Sequence, residues 1–223
     1  KLRKIQIDYR LPVQSHLSEN KNEIEFVKML RPGNAFYGEV YDEYDLFGKS
    51  KSSDAVVNTI MAHCVWSDES EMDLIKNNGV FVAHCPASNM NLASGIAPVR
   101  KYLDMEIKVG LGSDIAGGHS ISMFRAMTDA IQVSKMHKRY VDEMEQPITF
   151  AEAFYMATMG GGSFFGNVGS FESGYEFDAL VLDDSRIKYV NKPDLRQRIE
   201  RIAYLYDKVE IIKDIDHVNE ICN

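Results

Sequence analysis

The sequence predicts an α/β fold built from parallel strand-helix units. Three observations carry the prediction: short apolar runs close on an ionisable residue, a helical pattern follows each run, and helix start and stop signals fall between them. The runs lie at 11–16, 57–63, 80–84 and 107–114, ending in His16, His63, His84 and Asp114. Between the first two, 20–30 forms a helix with Ile24, Val27 and Leu30 on one face. The stretch Ser67-Asp-Glu-Ser-Glu71 supplies an N-cap and acidic first-turn residues, and Asn77-Asn-Gly79 stops the helix it opens. A short helix follows over 97–105. A long one starts near Met123, where Met123, Met127, Ala130, Ile131 and Met136 make a helical row read as core. Beyond it the rhythm fades. Thr149-Phe-Ala-Glu152 is a capping box on a helix ending in Gly160-Gly-Gly162, and the turn 169–174 leads to an apolar strand at 179–182.

Composition narrows the function classes. The chain has 223 residues, 45% hydrophobic and 26% charged, which is the profile of a folded protein with a sizeable core. A net charge of −8 without a Lys/Arg stripe argues against a nucleic-acid polymer as partner. No run approaches the roughly 18 apolar residues of a membrane helix, and the N-terminal stretch is too polar for a signal-peptide core, so no membrane partner is expected. The three cysteines, Cys64, Cys85 and Cys222, are widely spaced and unpaired in pattern, which fits a reducing cytoplasm. A first residue other than Met suggests that the chain begins in mid-protein.

In parallel βα architecture all strands end at one face, so His16, His63, His84 and Asp114 are expected to converge there. His16-Leu-Ser-Glu19 sets a carboxylate one helical turn beyond an imidazole, within reach of a water on a metal held by that imidazole. A helix-dipole role is equally open to Glu19. His84-Cys-Pro-Ala-Ser-Asn89 turns sharply out of its strand, leaving Ser88 and Asn89 as loop scaffolding or pocket lining. Cys64 and Cys85 read as small buried hydrophobes rather than thiolate ligands. The glycine-rich stretch 112–120 matches neither a Walker nor a dinucleotide fingerprint, and His119 within it is placed to touch a substrate. His137, His217 and the acidic 42–45 stretch read as solvated surface.

Five stretches, in order, carry a family resemblance: Gln14-Ser-His16-Leu-Ser-Glu19-Asn; Met61-Ala-His63; Ala83-His84-Cys-Pro-Ala-Ser-Asn89 with Leu92-Ala-Ser-Gly95; Gly110-Leu-Gly-Ser-Asp114-Ile-Ala-Gly-Gly118 with Ser120-Ile-Ser-Met123; and Gly169-Ser-Phe-Glu-Ser-Gly174-Tyr-Glu-Phe-Asp178-Ala. The sequence resembles guanine deaminases of the amidohydrolase superfamily, zinc-dependent TIM-like (β/α)8 barrels. The resemblance implies zinc ligation by His16 and Asp114, with Glu19 as proton shuttle, His63 orienting the attacking water, and Asp114 accepting that water's proton. It also implies a purine-base contact by His16, Leu17, Ser18, Glu19, His63 and Asp114, and a homodimer. Zinc brings its water's pKa to about 7, so hydrolysis of guanine to xanthine and ammonia becomes feasible at neutral pH. The family's His-x-His and Arg-Phe elements are not among these residues. The resemblance therefore implies barrel strands five to eight only, over 1–165, followed by a helix and part of a small β-sandwich, without its final strand, over 166–223. Three readings result: a deaminase portion active with its other half, a non-catalytic remnant, or a deaminase of another purine or a pyrimidine.

Overall fold

The computed structural model describes residues 1–49 and 58–215. The early part of the predicted second strand, including Val57, and also His217 and Cys222, lie outside these residues. Four strands, β1 (Val13–Leu17), β2 (Thr59–His63), β3 (Phe81–His84) and β4 (Val109–Leu111), form one sheet in chain order. All three pairings are parallel, and the registers Leu17↔His63 and His84↔Leu111 bring their C-terminal ends level. The predicted runs thus become strands, each one to two residues shorter at its start and β4 also at its end.

Helix α1 (Leu2–Tyr9) precedes β1, and α2 (Lys21–Leu30) and α3 (Gly38–Glu43) connect β1 to β2. The 42–45 stretch, expected as a loop, partly joins α3: Asp42 accepts from Asn78 and Asp45 pairs with Arg3 at 2.8 Å. Asn20 caps α2 by accepting from Glu23 N, but Ile24 and Val27 are only half-buried and Leu30 is exposed. Its apolar stripe is only partly covered among the described residues. Helix α4 (Glu69–Asn78) begins at the Asp68 cap and ends at left-handed Gly79, where the sequence placed both signals. Helices α5 (Pro86–Asn91) and α6 (Val99–Asp104) lead into β4.

The long α7 (Met123–Tyr140) buries Met127, Ala130 and Ile131, while Met136 at its far end is exposed. Met136 is therefore not core. His137, expected in solvent, is buried with its Nδ1 2.7 Å from Glu145 Oε2, because the chain after α7 folds back over that face. Helix α8 (Phe150–Tyr155) carries the predicted capping box and runs on as a π-turn over Met156–Gly160. Helical backbone continues through Gly161 and Gly162 and gives way to a turn at Ser163, so the helix ends in the glycine run as expected. A Cβ on Gly160 would lie 2.5 Å from Val109 O, and one on Gly110 would lie 2.9 Å from Gly161 Cα, so glycine here permits close packing on β4. The core joins Leu17, Met61, Val82 and Val109 of the sheet to Ile75, Tyr102, Ala130 and Met156 of the helices. After it, β5 (Ala179–Asp183) pairs antiparallel with β6 (Glu210–Ile215), and α9 (Leu195–Tyr204) lies against α7. Strand β6 was not expected, since its Glu-Ile-Ile-Lys-Asp-Ile pattern leaves only Ile215 partly covered and, among the described residues, pairs on β5 alone.

Candidate active site

The level C-terminal ends of the sheet bring three donors together: His16, His63 and Asp114 each offer a ligand atom, all within 4.8 Å of one another. Their imidazoles stack, with His16 and His63 centroids 5.2 Å apart. Left-handed backbone makes this possible. Ser18, His63, Cys64 and Asp114 have φ of 46°, 73°, 48° and 46°, a conformation that costs a side-chain-bearing residue free energy and concentrates at working sites. Alternation alone would set His16 and His63 on opposite faces, because His16 registers with Ala62. The positive φ of His63 breaks that alternation.

His84 does not join them. It follows Ala83, which registers with Ala62, so its regular extended geometry sends it to the face opposite His16. There it is buried with neither ring nitrogen partnered among the described residues. Burial, helped by the nearby His63, lowers its pKa to about 3, so it is neutral near pH 7. The expected convergence is thus three side chains rather than four.

Glu19 sits in the turn between β1 and α2, where its backbone N–H donates to Glu23 Oε2 at 3.0 Å. Its Oε2 lies 3.8 Å from His63 Nε2, and Asp114 Oδ2 lies 3.9 Å from the same nitrogen. His63 Nδ1–H donates to Asn89 Oδ1 at 2.9 Å, which turns Nε2 toward both carboxylates. Asn89 and Ser88 both belong to α5, and Asn89 acts on the site through His63.

Leu17 and Ser18 take other places than the substrate contact expected of them. The Leu17 side chain is wholly within the core, and the Ser18 hydroxyl donates to buried Glu71 at 2.7 Å. Being one residue past His16, Leu17 faces the helices. Cys64 and Cys85 are buried free thiols whose pKa burial raises, Cys85 to about 12, and neither belongs to the donor group. His119 is exposed, its Nδ1 3.4 Å from Asn91 Nδ2.

Glu71 and Ser94 escaped sequence reasoning as parts of this site. Glu71 reads as a first-turn acid, yet Asp68 does the capping and Glu71 turns inward to accept from Ser18 and from Gly38 N. Ser94 donates to Glu19 Oε1 at 2.9 Å, and the Leu92-Ala-Ser-Gly95 motif was the signal available for it. Two clefts, of about 650 Å³ beside Tyr189–Leu205 and about 640 Å³ beside Arg100–Thr149, open away from this cluster.

An imidazole and a carboxylate from His16 and Asp114, with the His63 imidazole beside them, are donors that fit a borderline metal such as zinc. Among curated proteins, the guanine deaminase of Dictyostelium discoideum is 40% identical over 202 residues, covering 87% of this chain and 43% of that protein. A crystal structure of guanine deaminase from C. acetobutylicum, with bound guanine in its active site, is 51% identical with a TM-score of 0.88, covering 96% of this chain and 49% of that one. The E. coli guanine deaminase structure is 30% identical with a TM-score of 0.82, over 96% of this chain and 48% of that one. The chain spans less than half the length of these relatives. With the family model described as "Amidohydrolase family" matching residues 1–215, the chain belongs to the amidohydrolase family.

Proposed function

We propose that the protein containing this chain deaminates guanine hydrolytically, taking guanine and water to xanthine and ammonia. The observation that carries the reading is the junction of His16, His63 and Asp114 donors with the Glu19 carboxylate, in a chain 51% identical to a guanine-bound deaminase. His16 and Asp114 would hold a zinc ion, which when bound supplies a Lewis acid that eases ionisation of water near neutral pH. Glu19 carries a proton toward a ring nitrogen of the purine. His63, held by Asn89, aims Nε2 at the two carboxylates and orients the water they share. Asp114 accepts the water's proton. Substrate meets this cluster at the open ends of β1, β2 and β4.

The same reading takes β1 to β4 as strands five to eight of the barrel, with 166–223 contributing to a separate β segment. It sets the enzyme in the cytoplasm as a homodimer, with a free purine base rather than a polymer as its partner.

Ammonia release from guanine, 8-oxoguanine, adenine and cytosine by the zinc-loaded full-length protein tests the substrate. Guanine is expected to be preferred, and Glu19→Gln to lower kcat by about 100- to 10,000-fold. Preference for another base defeats the substrate assignment. The alternative is a non-catalytic reading of the isolated chain, in which His16 and Asp114 alone would hold zinc less firmly than three protein ligands do. About one zinc per isolated chain, with ammonia release, would exclude it.

A further inference from the structure

We infer that Ser94 is the positioning residue for Glu19, fixing which carboxylate oxygen faces the reaction centre. The inference rests on the reading of Glu19 as the proton carrier. The Ser94 hydroxyl donates to Oε1 at 2.9 Å, whereas Oε2 lies 3.8 Å from His63 Nε2. One oxygen is thus engaged by a serine and the other is left for proton transfer. The terminal torsion of a glutamate is broad and presents either oxygen, so a carboxylate without this partner would spread over orientations that do not face His63.

Ser94 is suited to the task because its own backbone is pinned at both ends. Its N–H donates to Asn89 O at 2.9 Å, and its carbonyl accepts from the Trp66 indole N–H at 2.7 Å. Trp66 in turn donates its backbone N–H to Ser18 O at 2.9 Å, next to Glu19 in the chain. The Ser18 hydroxyl is anchored on Glu71, 1% exposed, at 2.7 Å. The contacts therefore close a ring from Glu19 through Ser94, Trp66 and Ser18 back to Glu19. Gly95 belongs to the same device. Its φ is +135°, and a Cβ there would lie 2.8 Å from Val65 and 2.9 Å from the Trp66 ring, displacing the indole that holds Ser94. The Ser94-Gly95 pair of the motif thus has a physical account: a hydroxyl for Glu19 and an absent side chain for Trp66.

The test compares Ser94→Ala and Ser94→Thr in the zinc-loaded full-length protein, with kcat and KM for guanine and the thermal midpoint measured for each. Ser94→Ala is expected to lower kcat about 10- to 100-fold, in the range seen when a partner orienting a working side chain is removed. KM should change less than about threefold, because the guanine-binding groups remain. Ser94→Thr keeps the hydroxyl and should restore most of kcat. A merely structural serine would instead lower the thermal midpoint while leaving kcat of the folded enzyme intact, and that result overturns the proposal. A second measurement does not depend on turnover: urea midpoints of Ser94→Ala, Glu19→Ala and the double variant form a cycle. A non-additive cycle supports the contact and additive midpoints overturn it. If the parent protein releases no ammonia from guanine but the cycle is non-additive, the deaminase reading fails while the Ser94–Glu19 contact stands.

Discussion

Asp184 and Arg198 meet as a fork, Nε to Oδ2 and Nη2 to Oδ1, each at 2.6 Å. The hydrogen bond from Arg198 outweighs burial and holds the Asp184 carboxyl at about 2. At Glu152 burial pushes upward, but hydrogen bonds from Arg100 and Thr149 together overcome it, again giving about 2. Both values lie below those of an unfolded chain, so on acidification the unfolded state takes up these protons first. The stability they lend is complete above about pH 5 and is lost as pH falls from there toward 2. Urea midpoints at several pH values should drop across that window, and the gap between the parent and Asp184→Asn should close there. A gap that stays constant with pH would contradict the Asp184 assignment. Glu71 has the opposite sign: burial raises its pKa, so its ionisation opposes folding near neutrality and the cost is relieved on acidification. The Thr149 box was legible because its partners are three apart. The Asp184 fork, Glu71 and Ser94 were not, because each partner lies on a different element.

Helix ends illustrate what local chemistry settles and what it leaves out. Gly79 ends α4 with φ +66° and nothing within 4 Å of an added Cβ, so Gly79→Ala meets only the left-handed backbone penalty of about 1 kcal/mol. Gly48 has φ +78°, and a Cβ there would lie 2.2 Å from Asn78 O, a backbone atom of the last residue of the same helix. Gly48→Ala therefore adds a clash to the same penalty and should lower the thermal midpoint at least twice as much. Equal midpoint shifts for the two variants would refute that account. The stop at Gly79 was legible in Asn-Asn-Gly, whereas Gly48 was silent because its constraint comes from a helix end 30 positions on. Likewise the helical period of α2 was correct, but period says nothing of whether the stripe finds a cover.

Across the described residues the sheet runs from β1 to β4 without closing, so each of these two strands has one side unpaired in the sheet. Large apolar side chains are exposed near the sheet and its loops, among them Leu11, Phe26, Met29, Leu30, Leu92 and Ile121. Unpaired strand edges and apolar patches template association. The 223-residue chain expressed alone should accordingly self-associate as concentration rises from about 1 to about 50 μM, measured by sedimentation velocity. A concentration-independent monomer that binds no hydrophobic dye would defeat this expectation. The parallel pairing was legible, because four apolar runs separated by helical stretches read as βα units, whereas the chain order of the strands followed only from the resemblance to a (β/α)8 barrel.

By itself the sequence determined the βα rhythm, the caps of α4 and α8, and the residue types His16, Glu19, His63 and Asp114 at or just past strand ends. These depend on neighbours within a few positions, and local periodicity and capping chemistry are local quantities. Only the tertiary structure decided that His63 crosses to the His16 side while His84 stays buried behind it, that Leu17 and Ser18 face inward, and that Ser94 reaches Glu19 from 75 positions away. Those outcomes turn on strand register and on a few left-handed backbone angles, which are fixed by packing between elements and leave no periodic mark in the chain.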